Sequence, residues 1–190
     1  MEESGDCDVV TYGSSNNAGN TIAWRRNRLD VHEAIRSLRS VREFRDEPLP
    51  DDVLESILDA GRRAQSSKNT QPWQFVVVRD RATLQALSKT GDYAGHMAGA
   101  AAGVVIVSRI PHEYDLGQAT AFLMLAAWER GVGSCIAAIY HPDQVRALLG
   151  IPDEMHVHYA LSFGYPASDW TPAKMGGRRS LDDVAHWERW

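Results

Sequence analysis

The chain has 190 residues and a mass of 21.1 kDa, enough for one domain with a substantial core. Hydrophobic residues make up 44% and charged residues 24%, close to globular averages, so a wholly disordered chain and a fibrous repeat are excluded. The 20 Lys and Arg against 25 Asp and Glu give a formal net charge of -5, which provides no global positive field for nucleic acid or anionic lipid.

Cysteine and histidine usage argues against a disulfide framework and against a metal site. Cys7 and Cys135 form no metal-type pair, no HExxH or CxxC spacing is present, and this usage fits a reducing cytoplasm. The longest weakly polar run, Met97 to Val107, is far shorter than the roughly 18 apolar residues of a membrane span. We therefore predict a soluble, cytoplasmic protein whose main partner is neither nucleic acid nor a membrane.

The amino-terminal 29 residues differ in composition from the rest of the chain. They open with an acidic segment and continue as a polar Gly/Ser/Asn stretch without a period, which predicts a flexible tail over residues 1–29. Order is expected from Asp30, because Asp30 and Glu33 have capping-box spacing for a first helix that ends near Leu38. No internal boundary follows, so residues 30–190 are predicted to be one domain.

Further elements follow from apolar periodicity and from the positions of Gly and Pro. In chain order they are a helix from Asp51 or Asp52, a strand over Phe75 to Val78, a short helix around Thr83 to Leu87, a strand over Val104 to Val107, a long helix from about Leu116 to Arg130, a short helix over Pro142 to Leu149 and a strand over His156 to Phe163. The last segment alternates strictly, which predicts a half-buried strand. The glycine-rich segment Gly131 to Cys135 reads as a helix cap followed by a tight turn.

The long helix is apolar nearly all round. Residues 121–128 leave no polar face, so we expect this helix to be central or to lie in a subunit interface.

Two segments have the side chains that a small anionic or heterocyclic ligand needs. Arg39 and Arg42 are three apart, so on one helical turn both guanidinium groups could meet a phosphate, with Ser40 adding a hydroxyl. The alternative is a solvated face paired with neighbouring acidic residues. In the polar loop before the first strand, Asn69 and Gln71 can each offer a donor and an acceptor to a flat heterocycle.

Several short motifs occur together in a fixed order. They are Arg39-Ser40-x-Arg42-x-Phe44, Pro48-x-Pro50, Ser66-Ser67-x-Asn69-x-Gln71-Pro72-Trp73-x-Phe75-Val76-Val77-Val78, Asp115-x-Gly117-x-Ala119, Gly131-Val132-Gly133-Ser134-Cys135 and Phe163-Gly164-Tyr165-Pro166. With this order and spacing the chain resembles the nitroreductase family of flavin mononucleotide (FMN) enzymes, from about Val31 to Trp190, in a compact form without large insertions. The resemblance implies an α+β fold around a mixed, mostly antiparallel sheet, and a homodimer with two flavins at the subunit interface.

The resemblance also implies roles for individual residues, all of them in binding the cofactor. Arg39 and Ser40 match phosphate-binding positions, and Arg42 matches a basic position near the phosphate, the ribityl chain or the pyrimidine edge. The residues Ser66, Ser67, Asn69 and Gln71 match a loop that in relatives generally reaches the flavin of the other subunit. Ser134, Ile136 and Ala137 belong to a segment against the central ring, and Arg178 or Arg179 matches a basic residue that closes on the phosphate.

Two positions depart from the family pattern. Gln65 stands where a proline usually precedes the double serine, which predicts a less rigid loop. No lysine lies between Asp92 and Ser108, so His96 or Arg42 would have to supply the positive charge that stabilises reduced flavin.

The implied activity is that of an FMN-dependent oxidoreductase. Such an enzyme takes hydride from NADH or NADPH and reduces a small-molecule acceptor, a nitroaromatic, quinone or similar compound, by a ping-pong mechanism; because the cofactor carries the chemistry, no catalytic side chain is assigned. One alternative is another flavin reaction on the same fold, such as cyclic dipeptide oxidation, dehalogenation or flavin breakdown. The other is a flavin- or deazaflavin-binding protein without turnover.

Overall fold

The computed structural model describes residues 30–173 and 176–190, so the tail predicted over residues 1–29 lies outside the described residues. In this part of the chain the helices are α1 (Val31–Ser37), α2 (Asp51–Arg62), α3 (Arg81–Leu87), α4 (Glu113–Glu129) and α5 (Pro142–Leu149). The strands are β1 (Trp73–Val78), β2 (Ala102–Ser108), β3 (Gly133–Ala138) and β4 (His156–Gly164), and two 3-10 turns cover Ser67–Asn69 and Gly95–Gly99.

The helix boundaries follow local chemistry, as the sequence predicts. The Asp30 carboxylate accepts a hydrogen bond from the Glu33 main-chain N–H at 2.8 Å and caps α1. Helix α2 starts directly after Pro50. Gly131 and Gly150 follow α4 and α5 with φ of 73° and 63°, the left-handed conformation that glycine adopts at little cost.

The four strands form one sheet in the order β1-β2-β4-β3, and every pair of neighbours is antiparallel. A parallel bridge joins Ser40 to Ser134 outside these strands, where the chain that follows α1 runs along the start of β3. The predicted α+β class with a mixed, mostly antiparallel sheet is confirmed.

Helices cover both faces of the sheet. One layer packs Leu54, Ile57, Leu116 and Leu123 of α2 and α4 on the sheet, and the opposite layer packs Leu84, Leu87 and Val145 of α3 and α5. The prediction of a half-buried β4 is therefore wrong for its second half, because Ala160 through Gly164 are buried whichever face they point to. Strict alternation reports polarity, whereas burial depends on what packs above each face.

The prediction of a tight turn over Gly131 to Cys135 is also wrong, because strand β3 begins at Gly133. A Cβ at Gly133 would lie 2.6 Å from the Cβ of Val41, so only glycine lets the chain after α1 approach β3 this closely. Small residues give β3 little intrinsic strand preference. Pairing with β4 and with the Ser40 segment makes it a strand.

Helix α4 is central, and it also leaves part of its surface uncovered. Leu123 is fully buried against Gly61 of α2, whereas the neighbouring Phe122 is 40% exposed. Among the described residues, no helix is long and apolar enough to cross a membrane.

Candidate flavin site

The segment after α1 brings two of the predicted phosphate-binding residues to the start of β3. Val41 is fully buried and its main-chain N–H donates to the Ser134 carbonyl at 2.9 Å, which fixes the exposed Ser40 and Arg42 on either side of it. The segment is not helical, so the predicted arrangement of Arg39 and Arg42 on one helical turn is wrong.

Arg39 lies at the carboxyl end of α1, where its Nη1 donates to the carbonyl oxygens of Arg36 and Leu38 at 2.9 and 2.8 Å. Unpaired carbonyls at a helix end attract a cation, so this contact orients the guanidinium. The Nε and Nη2 groups have no hydrogen-bond or ion-pair partner among the described residues. They are the pair of donors that a bidentate phosphate contact uses.

The charge of Arg42 acts on two buried side chains on the α3/α5 side of the sheet. Burial raises the pKa of the Cys135 thiol, while Arg42 and a hydrogen bond from Ser40 oppose that shift. Burial lowers the pKa of His96, and the Arg42 charge lowers it further. No ion pair to Arg42 is found within residues 30–173 and 176–190, so its charge is available to a ligand.

His96 is a poor source of positive charge. Its side chain is 9% exposed, its Nδ1 lies 2.8 Å from Ser162 Oγ, and its lowered pKa favours the neutral imidazole. Of the two candidates that replace the missing lysine, the geometry favours the exposed Arg42.

The outer edge of β3 is open beyond Ser134. Because Ser134 directs its carbonyl away from β4, towards Val41, the alternation of a strand directs the N–H and C=O of Ile136 to the same outer side. No described strand covers that position. A main-chain donor at an open sheet edge suits the acceptor atoms N5 and O4 of a flavin.

The side chains of β3 have different environments. Ile136 is 45% exposed and lines an open groove with Met124 and Tyr159. The buried Ser134 hydroxyl has no hydrogen-bond partner among the described residues. Ala137 is buried in the α3/α5 layer and its partner in the sheet is Ala160, so its side chain is not available to a ligand.

The predicted flavin loop is tied to its own chain. Ser66 Oγ accepts from the Gln71 main-chain N–H at 3.0 Å, and Gln71 Nε2 donates to Asn69 Oδ1 at 3.2 Å. The exposed Ser67 donates its main-chain N–H to the buried carboxylate of Asp115 at 3.1 Å. The sequence contained Asp115 as part of a motif, but nothing in the spacing indicated this long-range contact.

The loop and the Arg39–Arg42 segment make no polar contact with each other among the described residues. None of the hydrogen bonds and ion pairs found in the described ranges connects Ser66, Ser67, Asn69 or Gln71 with residues 39–42 or with β3. Neither Arg178 nor Arg179 contacts these groups through such a bond. Arg179 donates to the main-chain oxygen of Asp183, whereas Arg178 has no hydrogen bond or ion pair in the parts of the chain that are described.

A Ser-His-Glu row elsewhere in the fold was not predicted. His158 lies 2.8 Å from Ser108 Oγ and 3.0 Å from Glu113 Oε1. Ser108 is fully buried and donates its hydroxyl to the Ile110 carbonyl at 2.7 Å, so it cannot serve as a nucleophile. The row links β2, β4 and α4. In residues 30–173 and 176–190, no three His, Cys, Asp or Glu side chains are grouped closely enough to hold a metal ion.

Comparison with known proteins gives a consistent result. The family model described as "Nitroreductase family" matches residues 35–90 and 95–165. A protein of Archaeoglobus fulgidus, provisionally named NADH dehydrogenase/NAD(P)H nitroreductase, is 33% identical over 168 residues, which cover 82% of this chain and 96% of the relative.

Solved structures match the fold. A structure from Bacteroides thetaiotaomicron with the same provisional name has a TM-score of 0.76 at 25% identity, covering 84% of this chain and 97% of that one. A structure from Clostridium difficile, described as an FMN-dependent nitroreductase, has a TM-score of 0.74 at 24% identity, covering 83% and 98%.

Proposed function

Because the chain belongs to the nitroreductase family, we propose that it is an FMN-dependent oxidoreductase. It takes hydride from NADH or NADPH and reduces a second acceptor, such as a nitroaromatic or a quinone, in ping-pong fashion. The observation that carries this proposal is the open edge of β3 beside a segment with two exposed arginines. A flavin needs this combination, since its ring requires a close main-chain edge and its phosphate requires cations.

The residues fit FMN at both ends. A phosphate of about two negative charges is matched by Arg39 and Ser40, both of them exposed. Near the ring, Ile136 offers a main-chain N–H, and the buried Ser134 hydroxyl still lacks a partner. When bound, the flavin supplies the hydride chemistry, while this chain binds the flavin, orients it and sets the charge around it.

Arg42 has a further role in this proposal. Its positive charge lies near the start of β3, close enough to lower the pKa of His96 and of Cys135. A cation at the pyrimidine edge of a flavin stabilises the negative charge of the reduced ring. We assign this role to Arg42 rather than to His96, because burial lowers the pKa of His96 and so favours its neutral form.

We further propose a homodimer with the site at the subunit interface. The lack of a polar contact between the loop and the Arg39–Arg42 segment among the described residues supports this, because a second copy can bring the two halves of the site together. Exposed apolar side chains such as Phe122 on α4 and Ile136 on β3 supply surface for the contact.

The test is spectroscopic. The purified protein, with FMN added if necessary, is expected to be yellow and to bleach anaerobically on addition of NADH or NADPH. Colour should return with a quinone or nitroarene, and steady-state oxidation of the reduced nicotinamide should follow. A protein that binds flavin without turnover would instead be a flavin carrier. A colourless protein that neither binds nor reduces flavin would refute the proposal.

A further inference from the structure

A buried carboxylate on α4 reaches the loop that carries Ser66 to Gln71. Asp115 is 5% exposed, lies in the first turn of α4 and accepts the main-chain N–H of Ser67 at 3.1 Å. His112, three residues earlier, lies 3.6 Å from the same carboxylate. Removing a carboxylate from water is costly unless hydrogen bonds compensate, so a buried acid with a main-chain partner is a strong local constraint.

A second side chain of α4 holds the same loop. Gln118 Nε2 donates to the Gln65 carbonyl at 3.3 Å. Residues three apart on a helix share a face, so Asp115 and Gln118 both point to the loop. Asp115 accepts a hydrogen bond from the Ser67 N–H, and Gln118 donates one to the Gln65 carbonyl. These contacts provide the rigidity that the sequence at Gln65, without the usual proline, does not provide by itself.

The loop needs such support because its backbone is strained. Lys68, Asn69 and Gln71 have φ values of 51°, 55° and 46°, a region that residues other than glycine rarely adopt. Each such residue is strained and persists only where the surroundings determine its conformation. The bonds inside the loop involve exposed side chains, whereas the Asp115 bond is anchored in the core.

We propose that Asp115 is a positioning residue for the flavin, acting through the main chain of Ser67 with assistance from Gln118. This inference rests on the proposed function. By fixing Ser67, the carboxylate determines which amides and hydroxyls of the loop face the ring. Asp115 itself does not touch the cofactor, so its loss is expected to weaken contacts with the ring and to leave contacts with the phosphate unchanged.

The experiment is titration of flavin-free protein with FMN and with riboflavin, which lacks the phosphate. Asp115→Ala is expected to weaken both ligands by the same factor, about tenfold, on the scale of one lost hydrogen bond to a charged group. Asp115→Asn keeps an oxygen that can accept from Ser67, so it should recover most of the affinity. Glu113→Gln is the matched control, because it removes a charge from the same helical turn and keeps the side-chain size, and Glu113 contacts His158 rather than the loop.

A second readout needs no flavin. Hydrogen exchange at the main-chain amides of residues 67–71 should be faster in Asp115→Ala and close to wild type in Asp115→Asn. If Asp115→Ala does not fold, Gln118→Ala removes the second hydrogen bond to the loop. It is expected to weaken the binding of both ligands and to speed hydrogen exchange at the same amides.

Three results would overturn the assignment while leaving the proposed function intact. They are unchanged affinity for both ligands in a folded Asp115→Ala or Gln118→Ala variant, a loss confined to FMN, and an equal loss in Glu113→Gln, which would indicate a general effect of charge at the helix end. If the wild-type protein binds neither ligand, the proposed function fails, and the assignment fails with it.

Discussion

Replacing Arg39 by alanine tests the proposed phosphate site directly. Two of the five N–H groups of this guanidinium belong to Nη1, which donates to the carbonyls at the end of α1. The donors on Nε and Nη2 remain for a ligand. The substitution therefore removes the phosphate contact and, separately, a small contribution to the stability of α1.

The size of the effect follows from the type of bond. A hydrogen bond to a charged group contributes about 1.5 to 3 kcal/mol. At about 1.4 kcal/mol for each factor of ten, Arg39→Ala should raise the Kd for FMN roughly ten- to 140-fold. Riboflavin, which has no phosphate, should bind as it does to the wild-type protein.

The assay is fluorescence titration of flavin-free protein with each ligand, with circular dichroism to verify folding. Arg36→Ala is the matched control, because Arg36 is an exposed arginine on the same short helix without an assigned ligand contact. Equal losses for FMN and riboflavin would show that Arg39 does not meet the phosphate. So would a loss of the same size in Arg36→Ala.

Three other predictions concern assembly, packing and pH. Phe122→Glu should dissociate the dimer and release flavin together, measured by sedimentation and absorbance. A charge at the fully buried Leu123 would instead strongly destabilise the folded chain. Gly61→Ala should destabilise the protein by about 1 to 3 kcal/mol in urea unfolding, because the added Cβ would lie 2.5 Å from Leu123 Cδ2. Burial lowers the pKa of His96, so protonating this side chain is less favourable in the folded state than in the unfolded state. The contribution of neutral His96 to the free energy of unfolding is therefore fully present above about pH 6.5 and is lost as the pH falls towards the folded-state pKa. The melting temperature should therefore fall below about pH 6.5, and less steeply in His96→Gln.

Each of these has a control in the same chain. Tyr93→Glu places a charge at an exposed residue outside α4 and should leave the dimer intact. Gly117→Ala adds a methyl group to a helical glycine with nothing within 4 Å and should be neutral or stabilising. His32→Gln removes an exposed histidine and should leave the acid limb of the melting profile unchanged. The reasoning would be contradicted if Phe122→Glu still formed a dimer, or if Gly61→Ala had the same free energy of unfolding as the wild type. It would also be contradicted if the melting temperature of His96→Gln fell with acid as steeply as that of the wild type.

The amino-acid sequence determined the features that depend on neighbours along the chain. The cap at Asp30, the start of α2 after Pro50 and the glycines after α4 and α5 follow from contacts within one turn, so they could be read directly. The start of α4 could not, because this helix begins at Glu113, three residues before the predicted Leu116. The family also follows from sequence, because several short motifs keep their order. The residues predicted to bind flavin were carried over from that resemblance, and their roles stay predictions.

Tertiary structure decided what depends on residues distant in sequence. Strand β3 has weak local preference and exists because Gly133 lets Val41 pack against it. The all-round apolar pattern of α4 could not distinguish Leu123, which is buried against Gly61 of α2, from Phe122, which is 40% exposed. Likewise, burial lowers the pKa of His96, and the hydrogen bond from the Ser67 main chain to Asp115 joins residues 48 apart in the sequence. Periodicity reports which side chains avoid water, but only packing determines which surface covers them and which distant main-chain group satisfies a buried charge.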